Sequence, residues 1–204
     1  MCRTEIINRC FSKYKFEKYL EIGIGDGFCI ERISANLKDG VDPGVDPYYS
    51  HQCGLVNHKM TSDEFFQKIE NSKILYDFIF IDGLHHTEQV DKDISNSLKH
   101  LNPNGFIMLH DASPSSFETQ IVPRAQLEWT GDVWKSVVKL RCSDANIEII
   151  TIDTDFGCCI LRRGRQKLYD KDPLEIALDW NYFVRNRKEL LNLIPVEEFI
   201  KRTL

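Results

Sequence analysis

Apolar residues recur along the chain with two periods, one near three and a half and one of short continuous runs, and the two alternate. Ile6, Ile7, Cys10, Phe11 and Tyr14 predict a short amphipathic helix at the start. Lys18–Ile22 reads as an apolar strand running into Gly23-Ile24-Gly25-Asp26-Gly27. Phe28, Ile30, Ile33 and Leu37 then give residues 28–37 a helical period, so the spacing predicts strand, glycine turn, helix. A brief strand around Gly40–Asp42 follows, and Pro43–His51 reads as a loop. Thr61-Ser62-Asp63-Glu64 has the form of a helix start, with Phe65, Phe66 and Ile69 on the apolar face of a helix to about residue 72.

Phe78, Ile79, Phe80 and Ile81 are consecutive within Tyr76–Asp82, the pattern of a central parallel strand covered on both faces. Residues 87–101 carry Val90, Ile94, Leu98 and Leu101 on one helical side, Asn102-Pro103-Asn104-Gly105 turns the chain, and Phe106–Leu109 is another buried strand. The stretch 111–130 reads as a long loop of the kind that often serves as a lid. Val133–Leu140 is helical, Ile147–Ile152 and Gly157–Leu161 pair as a hairpin, and a helical tail begins near Leu174. The expected architecture is α/β: a doubly wound, Rossmann-like, seven-stranded and mostly parallel sheet with an antiparallel strand near its C-terminal end, plus N- and C-terminal helices. One domain over 1–204 is expected, with a core of about 18–161 and a helical tail of about 173–204.

Composition narrows the function classes. With 42% hydrophobic and 28% charged residues in 204, the chain can bury a sizeable core. A net charge of −5 argues against a surface built to neutralise nucleic-acid phosphates. The apolar runs fall far short of the roughly 20 residues that span a bilayer, and Met1–Tyr14 interleaves charges with apolar residues rather than forming a leader, so a cytoplasmic protein is expected. Seven cysteines without a CxxC spacing fit reduced thiols. Cys158 and Cys159, adjacent in a strand, are expected to face opposite sides as small core residues.

Ligands of such sheets bind beyond the carboxyl ends of the strands. The sequence places four loaded segments there: Glu21–Gly27, Asp42, Asp82–His86 and His110-Asp111. Glycines at 23, 25 and 27 allow a sharp turn and close backbone approach to a nucleotide-containing cofactor. Asp42, at the end of the second strand, can accept from ribose hydroxyls. Asp46 is the alternative, because Val41-Asp42-Pro43 nearly repeats as Val45-Asp46-Pro47. An NAD fingerprint would place its third glycine where this chain has Phe28, so the spacing disfavours NAD.

Tyr19-Leu20-Glu21-Ile22-Gly23-Ile24-Gly25-Asp26-Gly27 resembles the glycine-rich motif of class I S-adenosylmethionine (SAM) dependent methyltransferases. Thr61–Phe66, Phe80–His86, Leu109-His110-Asp111 and Gly131–Lys135, in that order, resemble the methyltransferase 24 family, and Asn186–Leu191 is similar as well. The resemblance implies SAM as cofactor, Glu21 near its methionine moiety, Gly23, Gly25 and Gly27 against it, Asp42 on the ribose, and Ser62 and Asp63 near the adenine. Helix capping would also account for Ser62 and Asp63.

Methyl transfer to a hydroxyl requires alignment and removal of a proton. Asp82, His85 and His110 are the catalytic candidates, a neutral histidine serving as base and a carboxylate orienting it; Asp82 also counts among the cofactor contacts. A second mechanism places a divalent cation such as Mg on Asp82, His110 and Asp111. Related small-molecule O-methyltransferases carry an acidic or amide pair where this chain has His110 in the first place of the pair. Trp134 is expected either to stack on an acceptor or to anchor the core, and Arg162-Arg163-Gly164-Arg165 to be a solvated turn. His86 is expected to face solvent, and His51, His58 and His100 to lie on the surface or in loops. The leading expectation is O-methylation of a sugar, glycan precursor or other small polar metabolite, without nucleic acid. The alternatives are an NAD-dependent oxidoreductase or epimerase, or an inactive SAM-fold binding protein. The apolar tail is expected to pack on its own domain or on a second subunit in a homo-oligomer.

Overall fold

The structure is a computed structural model that describes residues 1–47 and 53–203. Seven strands, β1 (Lys18–Ile22), β2 (Leu37–Val41), β3 (Tyr76–Ile81), β4 (Leu101–Leu109), β5 (Ile147–Ile152), β6 (Cys158–Arg163) and β7 (Leu193–Ile194), stand in the order β2-β1-β3-β4-β6-β5-β7. Strand β6 runs antiparallel to both its neighbours and the other pairings are parallel. This is the expected doubly wound sheet, and the two-residue β7 supplies the seventh strand from within the tail.

Side chains of the central strands alternate between two apolar layers, as the period of two requires. Ile79, Ile81, Ile107, Leu109 and Cys159 face one layer; Phe78, Phe80, Met108 and Cys158 face the other. The adjacent cysteines therefore do point to opposite faces, and all seven thiols are free. The first layer is covered by helices α2 (Ser62–Ile69), α3 (Thr87–Lys99) and α5 (Val133–Ser143), together with α6 (Pro173–Leu178) and α7 (Trp180–Leu190) of the tail. The second layer is covered by α1 (Arg3–Tyr14) and α8 (Val196–Thr203). A short helix, α4 (Phe117–Gln120), interrupts the long 111–130 loop. Burial of Ile176, Phe183, Leu190 and Leu191 in the first layer shows that the tail packs on its own sheet.

Two local expectations are corrected. The helix expected over 28–37 is only a 3-10 turn, Ile30–Arg32, after which the chain enters β2. Its backbone polar groups are taken by side chains instead: Asn8 of α1 donates to the Arg32 carbonyl and accepts from Ser34 N–H, at 2.8 and 2.7 Å, and Lys38 Nζ donates to the Ile30 carbonyl. The spacing of Phe28, Ile30 and Ile33 thus mimicked a helix. The second correction concerns Asn102–Gly105, which lies inside β4 as an irregularity: Tyr76 pairs with Leu101, but Phe78 pairs with Phe106. Asn102 ties the bulge down by donating to Asp77 at 2.5 Å.

Candidate active site

Four parallel strands end in register. Ile22 lies beside Val41 and Ile81, and Ile81 beside Leu109, so the next residues, Gly23, Asp42, Asp82 and His110, stand side by side along the carboxyl edge of the sheet. The backbone continues the ladder one step: Gly23 N–H donates to Val41, Asp82 N–H to Ile22 and His110 N–H to Ile81, at 2.9, 2.8 and 3.1 Å. Above this edge opens a cleft of about 480 Å3. It is lined by Glu21, Gly23, Gly25, Asp42, Asp46, Ser62, Asp63 and Asp82, which the sequence had singled out, and by Arg3, Phe28, Gln89 and Trp129, which it had not.

The cleft floor needs glycine. Gly23 has φ +85°, and a Cβ there would lie 2.1 Å from the Asp82 carbonyl oxygen. Gly27 also has positive φ but does not line the cleft; its α-carbon packs under Cys53, whose Sγ would lie 2.4 Å from an added Cβ. Asp42 holds the loop's shape: Oδ2 accepts from Ile24 and Gly25 N–H at 2.8 and 3.0 Å, and Oδ1 accepts from Gly44 N–H at 2.6 Å. With no α-helix after the loop, this carboxylate takes over the organising of its amides. Glu21 sits beneath the loop, 1% exposed, and accepts from the Tyr19 hydroxyl at 2.5 Å. Burial pushes its carboxyl up to about 8.

At the other end of the cleft, Thr61 rather than Ser62 caps α2 in a reciprocal capping box with Glu64. This leaves Ser62 and Asp63 to Gln89, whose Nε2 donates to both at 3.1 and 3.0 Å and to Asp93 at 3.1 Å. Gln89 is a wall residue that helical periodicity alone could have assigned only to the polar face of α3.

Behind Asp82 lies a ring of titratable groups. His85 Nε2 and His110 Nδ1 each lie 3.2 Å from Asp82 Oδ1, and His85 Nδ1 and His110 Nδ1 each lie 3.3 Å from Asp111. The two imidazoles thus sit between the two carboxylates. Burial works against every charge here, yet the histidines hold Asp82 well below the usual carboxylate range, and Asp82 and Asp111 raise both histidines, His110 the more strongly. On its far side His110 Nε2 meets Arg3 Nη1 at 3.1 Å and Asp155 at 3.4 Å, and Arg3 pairs with Asp155 at 2.9 Å. Asp155 comes from the β5–β6 turn, where Asp155, Phe156 and Gly157 all have positive φ and fold back onto Ala112 and Ser113. A hairpin turn read as a plain connection gave no signal of this.

The sequence grouped Asp82, His110 and Asp111 as metal ligands. The structure brings the ligand atoms of Asp82, His85 and Asp111 within 4.8 Å of one another, with His110 hydrogen-bonded across the set. Two carboxylates and an imidazole can hold a divalent cation, His85 taking the nitrogen position. A second group, His110, Asp155 and Cys158, already carries the Arg3 guanidinium against Asp155.

Trp129, not Trp134, is the aromatic wall of the cleft. It stacks on His85 with ring centroids 5.4 Å apart and donates to the Ile121 carbonyl. Trp134 is 1% exposed, lies 4.1 Å from Phe183 and donates to Gln120, which makes it a core anchor. Arg162 pairs with Glu148, and Arg163 donates to the Leu98, Leu101 and Asn102 carbonyls, so these two fasten the end of β6, while Arg165 just beyond it is exposed, as expected of a solvated turn. His86 is half-buried at the N-cap of α3, and His58 pairs with Asp39. His100, expected on the surface, is buried, stacks on Phe66 and bonds the Ile74 carbonyl. His51 lies outside the described residues.

Residues 20–112 match a family described as a methyltransferase domain. No curated protein matches the chain. Among solved structures, the chain is similar to an O-methyltransferase from Bacillus cereus in complex with S-adenosylhomocysteine (SAH), at 15% identity and TM-score 0.54, covering 79% of this chain and 80% of that one. The O-methyltransferase TomG from Streptomyces achromogenes, involved in tomaymycin synthesis and solved with SAM, gives 11% identity, TM-score 0.57 and 78% of each chain. The SAH-bound methyltransferase PaMTH1 from Podospora anserina gives 14% identity and TM-score 0.55, covering 79% of this chain and 77% of that one. Among the described residues, no helix is long and apolar enough to cross a membrane.

Proposed function

From a chain whose residues 20–112 match a methyltransferase-domain family and whose fold is similar to that of SAH- and SAM-bound methyltransferases, we propose a SAM-dependent O-methyltransferase acting on a hydroxyl of a sugar, glycan precursor or other small polar metabolite. The observation that carries this reading is the in-register ending of four strands, which sets Gly23, Asp42, Asp82 and His110 side by side along one sheet edge, the first three of them lining the cleft. SAM, when bound, supplies an electrophilic methyl group on a sulfonium. Glu21 and the loop at Gly23 and Gly25 take the methionine end, Asp42 with Asp46 the ribose, and Ser62 and Asp63 with Gln89 the adenine. Asp42 already accepts three backbone N–H groups, so it shares the ribose hydroxyls with Asp46. Gly27 supports the loop from behind.

Asp82 is the member of the titratable ring that reaches the cleft. It accepts a hydrogen bond from the acceptor hydroxyl, whose proton is released to solvent as the methyl group transfers, and His85 and His110, locked to it at 3.2 Å, hold it as the carboxylate. Residues 1–204 act as one unit in this reading, supported by the burial of the tail against the sheet that carries the site. Asp82, His85 and Asp111 would hold a divalent cation, which would lower the pKa of the acceptor hydroxyl.

Isothermal titration with SAH, with NAD as control and with magnesium present or chelated, tests the cofactor reading. Micromolar SAH binding with none for NAD is expected. Binding of NAD instead, or of neither, removes the methyltransferase reading. A screen of hydroxylated acceptors with methyl-labelled SAM then tests the acceptor, and label transferred only to amines or thiols would refute O-methylation.

A further inference from the structure

Arg3 enters the cleft from the first turn of α1, a helix whose apolar side covers the sheet. Its guanidinium is pinned at the end of β4. Nη1 lies 3.1 Å from His110 Nε2 and donates to both oxygens of Asp155, at 3.0 and 2.9 Å, and the Arg3 backbone N–H donates to the same carboxylate at 2.9 Å. The other nitrogen of His110, Nδ1, lies 3.2 Å from Asp82. The guanidinium therefore stands one imidazole away from the carboxylate that meets the acceptor hydroxyl, and its Cζ faces the Phe28 ring at 5.8 Å across the cleft wall.

Only part of this head is used. Every side-chain hydrogen bond of Arg3 passes through Nη1; Nε is buried without a partner, and Nη2 has none among the described residues. The N–H bonds of Nε and Nη2 run parallel along one edge of a guanidinium, the fork that grips two oxygens of a single carboxylate or phosphate group. A buried charged donor left without a partner is costly. Asp155 does not relieve that cost, because it holds the opposite corner of the group. The side chain is 24% exposed on a residue that lines the cleft, so the spare edge belongs to the cavity.

Every other charged lining residue among those described is acidic. An anionic group entering the cleft is thus repelled by its walls except at Arg3. We propose that Arg3 is a specificity-determining residue for the acceptor: its Nε–Nη2 edge binds a carboxylate or phosphate group on the same molecule whose hydroxyl meets Asp82. The acceptor class narrows to hydroxy acids, acidic sugars and sugar phosphates, since a neutral sugar would leave the edge unpaired. The proposal rests on the SAM reading above, because it concerns the acceptor of that reaction.

The test uses the intact protein loaded with SAH, which brings its own methionine carboxylate to the cleft. The Arg3 Nε–H resonance, identified by its loss in Arg3→Lys, is followed by NMR while inorganic phosphate or acetate is added, and a shift that saturates in the millimolar range is expected. Assays with methyl-labelled SAM then offer hydroxylated acceptors in matched pairs, D-glucuronate with D-glucose and glycerate with glycerol. Label passes to the acidic member at least about tenfold faster, the effect of one hydrogen bond to a charged group. Arg3→Lys keeps the charge and the Asp155 partner but loses the fork, so it lowers that preference several-fold and leaves SAH affinity within about twofold. An Nε–H resonance that ignores both anions, or label passing equally to the neutral members, overturns the proposal. A tenfold loss of SAH affinity in Arg3→Lys also overturns it, by giving the edge to the methionine carboxylate. Absence of SAH binding is the failure of the SAM reading, whereas SAH binding with no response to anions is the failure of this proposal alone.

Discussion

Gly23 is where backbone geometry decides whether a ligand can reach the sheet edge. Its φ of +85° and the 2.1 Å approach of an added Cβ to the Asp82 carbonyl leave no room for a side chain. Gly23→Ala is therefore expected to lower stability by about 1–3 kcal/mol through left-handed strain and to weaken SAH binding at least tenfold. Urea unfolding and calorimetry on the folded fraction measure the two effects, and wild-type affinity in the variant would show that the loop adapts. Glu21 gives a second residue-scale expectation. Its carboxyl is raised from an ordinary 4.5 to about 8 by burial, so the folded state binds a proton that the unfolded chain has released over that interval. The stabilisation is fully present below about pH 4.5 and is lost as pH rises toward 8. In the absence of ligand, Glu21→Gln should flatten the decline of melting temperature between pH 5 and 8; parallel curves for variant and wild type would place the titrating group elsewhere.

Among the elements, the tail meets α5 through an aromatic cluster centred on Trp134. Trp134 packs tilted against Phe183 of α7 with ring centroids 4.1 Å apart and lies 6.2 Å from Trp180, on the opposite face of the sheet from Glu21. Trp134→Ala should cost about 3–5 kcal/mol yet leave SAH affinity of the folded protein within about twofold, as expected for separate sites; a large affinity loss would make α5 part of the binding wall. The same elements show what the sequence could reveal. Strands with consecutive apolar residues, such as Phe78–Ile81, and helices with capping boxes, such as Thr61–Glu64, were legible because their patterns come from local physics. The helix expected over 28–37 was misplaced because Asn8, twenty-four residues upstream of Arg32, takes its backbone groups. That partnership is tertiary. For the same reason Glu21, Asp42 and Asp82 were found from strand-end position, whereas Arg3, Asp155 and Trp129 were not: each reaches the site from an element whose own sequence marks only a helix start, a turn or a loop.

For the molecule as a whole, charge is the property that most constrains the ligand. The chain carries a net charge of −5, and the cleft concentrates it: Asp26, Asp42, Asp46, Asp63 and Asp82 line it beside Glu21, with Arg3 the basic residue among the described lining groups. Arg3 is itself paired with Asp155. Such a cavity attracts cations and focuses its field inward, because its walls exclude water. SAM carries one positive charge more than SAH, at the sulfonium, so the cleft's field acts on the two ligands differently even where their contacts are the same. Raising salt shortens the Debye length from about 10 Å at 0.1 M to about 3 Å at 1 M, which screens the field from the more distant carboxylates. SAM affinity should therefore fall more steeply with added sodium chloride than SAH affinity, and the ratio of the two should move toward SAH. Parallel titrations of both ligands at several salt concentrations measure this. Identical slopes would mean that the acidic lining is neutralised within the protein, and that recognition at the methionine end rests on Glu21 and the loop amides alone.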